Sequence, residues 1–319
     1  TQIKFSNNKV SATQTWDSMN LHIFAAVDKK IIVTSMHDFS ETAINDAVSR
    51  LIKFAESAQP NKEYEGIAEG PFTYKHIAKT FDKAIAENKT DMTDKVEQGI
   101  TTALNAGAKR VAGVFETNTI SSYLLTSNNV EAEDQATRAY FSLRAFMERD
   151  ASGHCVSNAR FLADCDVVGS AAKAADIAKK AQSPKPGVQG KYDVIFEPLA
   201  ASNIIEHVGS AASIFSVESG LSPLANKLGE SIGSNTVNLV DDPTREGAVG
   251  ALSFDAEGVS TQKNNIIEKG TLKTYLHNTS SAKRHGVATT ANAGIITPTP
   301  FNLILQNGNV NKAELFEQI

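Results

Sequence analysis

Residues 110–166 alternate between apolar and polar side chains, and this alternation limits the possible folds more than any other feature of the sequence. Successive side chains of a β-strand point to opposite faces, so the pattern predicts strands with one buried face. The candidate strands are 110–118, 119–129, 137–150 and 153–166. Strands that follow one another through short turns predict an antiparallel meander, and residues 167–181 predict a helix that covers it.

The beginning of the chain predicts two β-hairpins and a helix. The hairpin turns fall at residues 6–8 and 27–30, where Asn, Asp and Lys separate strand-like runs. Ser40 then precedes a segment with apolar residues at helical spacing. Glu41 would lie in the first turn of that helix, where a carboxylate suits the helix dipole.

Two more helices are predicted before the meander, over residues 73–87 and 92–110, the second stopped by Gly107. After the meander, residues 191–198 ("KYDVIFEP") predict a buried strand, and residues 202–213 ("SNIIEHVGSAAS") predict a helix. The remaining predicted elements are strands at 236–242 and 248–258, a hairpin turning at Lys269-Gly270, and a short helix at 279–286.

Two segments rich in Pro and Gly, residues 59–71 and 183–190, divide the chain. They predict an N-terminal α+β domain at 1–70, a central helix-and-meander domain at 71–185 and a C-terminal domain at 190–319. Strands that pair with one another, with helices to one side, indicate the α+β class: antiparallel sheets with flanking helices. We expect the start of the first domain and the end of the third to be truncated.

Composition excludes several classes of function. The net charge is −5 and no cluster of Lys and Arg occurs, which argues against a nucleic-acid ligand. No apolar run reaches the length of a membrane span. The two cysteines provide neither a disulfide framework nor a four-cysteine zinc site, and they fit a reducing cytoplasm.

Several short motifs favour structural interpretations. The chain has no phosphate-binding glycine fingerprint, and the S-x-x-K string at residues 280–283 lacks the companion motifs of penicillin-recognising enzymes. His154 and Cys155 would point to opposite faces of a strand, so they cannot share a metal without a bulge. Cys165 fits a core position as a small apolar residue.

Glu206 and His207 are the remaining candidates for a metal site. Adjacent residues lie about 100° apart around a helix, so these two side chains do not converge on one ion. One turn further along the helix are Ser210 and Ala211, and neither replaces an imidazole. The residues alone therefore favour a hydrogen-bonded Glu206 or His207 near a helix–strand junction over a zinc site.

Residues 253–294 nevertheless resemble a known family, TldD/PmbA, also called "modulator of DNA gyrase". Its motifs occur here in order and with matching spacing: F-D-x-E-G-V-x-T, I-x-x-G-x-L-x-x-Y-L, A-x-[KR]-x-G and T-x-N-A-G, at 254–261, 267–276, 282–286 and 290–294. The resemblance extends to the early hairpins and the helix-and-meander region. It implies the TldD/PmbA fold in two to three subdomains.

The resemblance also implies a role for the 202–213 helix. TldD-like members carry H-E-x-x-x-H there, bind zinc and are peptidases, whereas TldE (PmbA)-like members lack the motif and pair with a TldD-like partner. Glu206, His207 and Ala211 stand at the positions of the first histidine, the glutamate and the second histidine. The resemblance therefore places this chain in the TldE branch, with a vestigial metal-helix position and no catalytic or metal-binding residue of its own.

The expected function is that of a non-catalytic TldE-like subunit in a heteromeric zinc peptidase that processes peptides or unfolded proteins. Zinc would belong to the TldD-like partner, the assembly would be a dimer in the cytoplasm, and neither nucleic acid nor membrane would take part. One alternative is an active metallopeptidase that uses Glu206 and His207 in a non-standard site. Another is a modulator of gyrase or of a toxin–antitoxin system that acts through protein binding.

Overall fold

A computed structural model gives the fold and describes residues 1–87, 92–148 and 150–318. In chain order, the strands are β1 (Gln2–Ser6), β2 (Lys9–Gln14), β3 (Leu21–Val27), β4 (Lys30–Met36), β5 (Arg110–Thr126), β6 (Val130–Phe146), β7 (Ser152–Ala159), β8 (Leu239–Asp241), β9 (Asn264–Glu268), β10 (Thr271–Leu272) and β11 (Leu303–Leu305). The α-helices are α1 (Glu41–Ser57), α2 (Lys83–Ala86), α3 (Met92–Asn105), α4 (Val167–Lys180), α5 (Pro198–Ala211), α6 (Ile214–Glu218), α7 (Thr279–His285) and α8 (Lys312–Glu317).

The named strands form three sheets, with the orders β2-β1-β5-β6-β7, β10-β9-β8-β11 and β3-β4. Every ladder between them is antiparallel, and helices flank the sheets, so the predicted α+β class is confirmed. The hairpins predicted at 6–8, 27–30 and 269–270 are also present. The first hairpin lies in the same sheet as β5, so this sheet spans the boundary predicted between the first two domains.

The meander contains one strand fewer than the alternation predicted. Residues 110–118 and 119–129 were expected to be two strands, but β5 runs without interruption from Arg110 to Thr126 and pairs with β6 in continuous register. Nothing at Asn118-Thr119 provides a turn, and both residues keep their cross-strand partners, Arg138 and Thr137. The alternation predicted the strand character correctly and the break wrongly.

The core of the central region lies between this sheet and the helices α3 and α4. Phe141 stacks on Phe5 at a ring-centroid distance of 6.0 Å and meets Phe115 edge-on at 6.2 Å, with all three rings buried. The close approach of α4 to β7 requires a glycine, because a Cβ at Gly153 would lie 2.1 Å from the carbonyl oxygen of Ala174. Apolar burial of this kind is the main stabilising contribution to such a core.

The helix predicted over residues 73–87 is wrong except for α2 at its end. Long-range hydrogen bonds hold residues 80–82 against the sheet instead. Thr137 donates its backbone N–H to the Thr80 carbonyl at 3.0 Å, and Asp82 donates its own to the Thr137 hydroxyl at 2.8 Å. The Asp82 carboxylate then caps α2 and accepts the backbone N–H of Leu162. Tertiary hydrogen bonds thus replace the helical bonds that local spacing predicted.

The strand predicted at 248–258 is also wrong, since this segment is a loop fixed by a buried arginine. Arg160 donates to the backbone carbonyls of Ala248 at 2.9 Å and Ala251 at 2.7 Å, and it also reaches the carbonyl of Thr137. These carbonyls are therefore satisfied by a guanidinium rather than by a neighbouring strand. The same side chain joins the central sheet to the C-terminal region.

The buried strand predicted at 191–198 is absent from the structure. Residues 191–197 form neither helix nor strand, and the side chains of Tyr192, Val194 and Phe196 are exposed. A strand needs a hydrogen-bonding neighbour, and no part of the chain that the structure describes pairs with this segment. The following helix, α5, forms as predicted, with Pro198 in its first turn.

The second hairpin, β3–β4, and helix α1 lie together outside the central sheet. The Ser40 hydroxyl caps α1 by accepting the backbone N–H of Ala43 at 3.3 Å, as the sequence predicted.

In the three described ranges, no helix combines the length and apolar character that crossing a lipid bilayer requires.

Candidate functional site

Helix α5 carries the residues that the sequence singled out, and it presents them to solvent. Its buried side packs on β11, where a Cβ at Gly209 would lie 2.3 Å from a methyl group of Leu303. Glu206 and His207 are on the exposed side, and neither side chain forms a hydrogen bond or ion pair within the described residues. The expectation that one of them is hydrogen-bonded at a helix–strand junction is therefore wrong.

The α5 positions do not fit a zinc site. Zinc needs several imidazole, thiolate or carboxylate donors that converge on one point. Glu206 and His207 diverge around the helix, and the methyl group of Ala211 packs against the apolar core of the C-terminal region. No group of three or more His, Cys, Asp or Glu residues suited to a metal ion occurs within 1–87, 92–148 and 150–318.

The other candidates from the sequence have structural roles. His154 shares a hydrogen bond of 2.9 Å with the hydroxyl of Ser142, and Cys165 is buried in the central core. In the S-x-x-K string, the Ser280 hydroxyl accepts the backbone N–H of Glu65 at 2.9 Å. Lys283 donates to the carbonyl of the same Glu65, so the string holds the segment 63–65 against α7.

A cavity of about 1740 Å³ lies elsewhere, between the three regions of the chain. Its walls come from β3 and the residues before it, the second half of β5, segments 63–67 and 254–257, and helices α6 and α7. Both polar and apolar side chains line it. No residue of α5 is among its lining residues, so the helix that carries Glu206 and His207 does not open into this cavity.

One wall of the cavity is an unpaired strand edge. β1 covers the edge of β5 as far as Thr117, whose backbone N–H and C=O both bond to Thr1. Alternate residues point their backbone groups to the same side of a strand, so those of residues 119, 121, 123 and 125 face the same edge. Within the described chain no strand pairs with them there, and all of 117–127 line the cavity.

Two buried acids of the F-D-x-E-G motif lie on another wall. Asp255 accepts the backbone N–H groups of Glu257, Val259 and Ala293 at 2.9–3.0 Å and so fixes the shape of this loop. Glu257 accepts the backbone N–H of Thr279 at 3.2 Å, where α7 begins. Burial raises the pKa of Asp255 to about 6, although its hydrogen bonds oppose the shift.

Glu257 differs from Asp255 in its partners, because Thr279 and the backbone N–H of Ala68 donate to its carboxylate, whereas three backbone N–H groups donate to Asp255. The residue is 8% exposed, lines the cavity and has no ion pair among the described residues. Burial and, to a smaller extent, the neighbouring charge of Asp255 raise the pKa of Glu257 to about 7. A carboxyl group of this kind can bind a cation or exchange a proton near neutral pH.

A charged network closes the cavity beside α7. Arg284 donates to both carboxylate oxygens of Glu218, at 2.6 and 2.7 Å, and to the backbone carbonyl of Glu63. His285 lies 2.8 Å from the same Glu218 carboxylate, and its ring meets the buried ring of His277 at 5.4 Å. Burial and, to a smaller extent, the nearby His285 lower the pKa of His277 to about 4, so His277 is neutral at pH 7.

Comparison with known proteins gives the family of the chain. The model of the PmbA/TldA metallopeptidase C-terminal domain matches residues 189–319, and that of the PmbA/TldA metallopeptidase central domain matches residues 77–182. The chain belongs to the PmbA/TldD family. The resemblance drawn from the sequence motifs is therefore confirmed.

Relatives within this family cover different parts of the chain. An uncharacterized protein of Methanocaldococcus jannaschii is 26% identical over 309 residues, which are 94% of this chain and 71% of the relative. A metalloprotease of the same organism is 45% identical over 109 residues, which are 34% of this chain and 24% of the relative.

Solved structures share the fold. The crystal structure of a protein from Thermotoga maritima, described as a modulator of a DNA gyrase, has a TM-score of 0.86 at 24% identity and covers 99% of this chain and 73% of its own. TldE from Thermococcus kodakarensis has a TM-score of 0.81 at 21% identity and covers 100% of this chain and 74% of its own. At these identities the likeness shows the fold alone.

The residues that line the cavity are not marked as a site by the sequence. Glu257 belongs to the F-D-x-E-G motif of the family resemblance, outside the predicted metal-helix position. A local signal was present in D-x-E-G, where Gly258 has a φ of +79° and an acid precedes a turn that only glycine adopts readily. That signal indicates a fixed loop, and burial of the carboxylate becomes visible only in the folded chain.

Proposed function

We propose that this chain is a TldE-like, non-catalytic subunit of a heteromeric zinc peptidase that processes peptides or unfolded proteins. In this proposal a TldD-like partner supplies the zinc and its ligands. This chain holds the peptide and shapes the chamber in which the peptide is presented. The assembly acts in the cytoplasm as a dimer of the two subunits, and neither nucleic acid nor membrane takes part.

The observation that carries the proposal is the separation between α5 and the cavity. In TldD-like members the metal helix must face the substrate, because the zinc acts on the peptide bond. Here α5 contributes none of the lining residues that the structure describes, and Glu206 and His207 point to solvent. The space suited to a peptide and the helix that carries the metal in TldD-like members therefore do not coincide, which supports binding without catalysis.

The unpaired edge of β5 supports peptides as the ligand. An extended chain can add to an open sheet edge through main-chain hydrogen bonds, and this mode requires an unfolded segment but little sequence specificity. The free part of the edge, residues 118–126, extends about 30 Å at the usual strand rise. An unfolded segment can become an extended strand of that length without first breaking native structure, so the geometry favours unfolded substrates.

A cleavage assay tests the proposal. The purified chain, alone and with its TldD-like partner, is mixed with a fluorogenic peptide in the presence and absence of a zinc chelator. We expect no cleavage by the chain alone, and cleavage by the pair that the chelator abolishes. His207→Ala is the matched control, and it should leave the activity of the pair unchanged because the imidazole lies outside the cavity.

The opposite result would make the chain a hydrolase in its own right. Chelator-sensitive cleavage by the isolated chain, lost in His207→Ala, would place a working site on α5. Metal analysis of the isolated chain separates the two outcomes further, because a working site would retain about one zinc per chain. The proposal expects no stoichiometric zinc in either the wild-type chain or the variant.

A further inference from the structure

The free edge of β5 ends in a closed corner of the cavity. At this end the backbone N–H of Gly70 donates to the Asn128 carbonyl at 2.9 Å, and the Asn128 amide donates to the carbonyl of Ala68 at 3.2 Å. These bonds hold segment 68–70 across the β5–β6 turn. A peptide that follows the edge toward the turn would therefore reach this segment.

Glu257 lies in the same corner. The next residue, Gly258, packs on the last residues of the hairpin, and a Cβ at this position would be 3.0 Å from a methyl group of Leu124. On its other side, Glu257 accepts the backbone N–H of Thr279. The Glu257 carboxylate thus reaches the cavity where the strand edge stops.

Strand direction determines which end of a peptide would meet this acid. β5 runs toward the turn, and β1, which pairs antiparallel with the other half of the same edge, runs away from it. A peptide that continues the line of β1 would also be antiparallel to β5, so its first residue would lie at the turn. A parallel peptide would instead bring its C-terminal carboxylate against Glu257, and the like charges would repel.

We propose that Glu257 binds the α-ammonium group of a peptide that adds antiparallel to residues 118–126 of β5. The inference rests on the proposed function and extends it, because it specifies a free N-terminus as the recognised feature of the substrate. Main-chain bonds along β5 hold the extended segment, and the buried carboxylate fixes its direction and its first residue.

The other charged groups around the corner are already engaged. Three backbone N–H groups surround the carboxylate of Asp255, and Glu218 is paired with Arg284 and His285. Tyr64 lies close enough to Glu257 for the carboxylate charge to contribute to the raised pKa of the phenol, after the larger effect of burial. Of the two buried acids, Glu257 is the more exposed, at 8% against 1% for Asp255, and neither Arg284 nor another described cation forms an ion pair with it. An ammonium group would supply that missing charge, and such a pair is worth more in a desolvated site than at the surface.

Fluorescence anisotropy tests this inference. The probe is a peptide of about nine residues with uncharged side chains, matched in length to the free edge. It carries a fluorophore at its C-terminus, and its N-terminus is either free or acetylated. The chain is titrated near pH 7.4, where Glu257, with its pKa of about 7, and an α-amino group with a pKa of roughly 7.7–8 both carry charge. We expect acetylation to weaken binding to the wild-type chain by about ten-fold or more.

Two variants locate the effect. Glu257→Gln keeps the shape and an acceptor for Thr279, and it should bind the free and acetylated peptides equally, at the weaker affinity. Asp17→Asn removes an exposed acid of the cavity lining and should preserve the wild-type preference. Thermal melting of each variant checks that it is folded, and the comparison of the two peptides on the wild-type chain does not depend on any variant.

The outcomes separate this inference from the proposed function. Equal affinity of the wild-type chain for both peptides would overturn the role of Glu257 and leave peptide binding by this subunit intact. If neither peptide bound the chain, whether alone or paired with its TldD-like partner, both the peptide-holding role and this inference would be overturned.

Discussion

The two halves of β5 belong to one strand and share one partner, β6, yet their surroundings differ. Over residues 110–117 the strand has β1 on its other edge and helices against its face, and Phe115 is 1% exposed. Over residues 118–126 the second edge is open, and Tyr123 and Leu125 are 72% and 75% exposed. Backbone geometry alone therefore does not make β5 part of the core.

This difference separates stability from binding along a single element. The covered half has its backbone groups bonded on both sides and its apolar side chains packed, so substitutions there should affect folding. In the open half, the backbone groups on one edge pair with no strand of the described chain. An exposed edge of this kind can pair with another segment. Substitutions there should affect what the protein binds.

The largest expected effect comes from truncating an aromatic side chain in the covered half. Phe115→Ala removes a fully buried ring that contacts Phe141, and we expect the free energy of unfolding to fall by about 3–5 kcal/mol. Tyr123→Ala, on the same strand but exposed, should change it by less than about 0.5 kcal/mol. Urea denaturation of both variants measures the comparison, and equal losses would show that the open half is packed in solution.

Protonation of Glu257 reports on the loop that covers the tip of the open half. Burial raises its pKa from 4.5 to about 7, so the folded chain holds this proton more tightly than the unfolded chain does. The resulting stabilisation is complete below pH 4.5 and is lost as the pH rises to about 7. In Glu257→Gln this loss of stability with pH should shrink by an amount on the order of 3 kcal/mol.

Urea denaturation at several pH values measures this effect. Some dependence on pH should persist in Glu257→Gln, because the pKa of Asp255 is also raised, to about 6. Glu131→Gln, an exposed acid on β6, is the matched control and should keep the wild-type profile. If Glu257→Gln kept that profile as well, the carboxyl group would titrate as an exposed acid, and the corner would be open to water.

The smallest expected effect comes from proline substitutions that test the two edges of the open half separately. The N–H of Ser121 faces the free edge and that of Ser122 faces β6, so only the second is part of a ladder. Ser121→Pro should remain folded and bind an unfolded peptide about ten-fold less tightly, because proline removes one donor and blocks the edge. Ser122→Pro should lose more stability than Ser121→Pro does.

Anisotropy and denaturation measured on both proline variants complete this comparison. Unchanged peptide affinity in a folded Ser121→Pro would mean that peptides bind elsewhere in the cavity. An equal loss of stability in the two variants would mean that the edge facing the cavity is already paired in solution.

Features encoded by a few adjacent residues could be predicted from the sequence. Asn7, Asn8, Asp28 and Lys29 all adopt positive φ in the structure, and these residues had already indicated the two hairpin turns. Ser40 caps α1 through a bond to a residue three positions away. Each of these features depends on contacts within a single turn, which the order of the residues determines.

Features that depend on distant partners could not be predicted in this way. Residues 73–82 have helical spacing, yet the backbone of Thr80 bonds to Thr137 instead. The apolar alternation of residues 191–197 resembles that of a strand, but no neighbour pairs with it in the described chain. The same limit applies to the site, because the burial of Glu257 is produced by α7 and segment 64–68, which are far from it in sequence.

The segment at residues 63–65 is attached to α7 largely through its main chain. Ser280 accepts the N–H of Glu65, Lys283 donates to the Glu65 carbonyl, and Arg284 donates to the carbonyl of Glu63. Main-chain atoms are the same for every residue type, so evolution can exchange the side chains at 63–65 while this wall keeps its position. Substitutions at 63–65 can thus change the chemistry of this cavity wall without moving it.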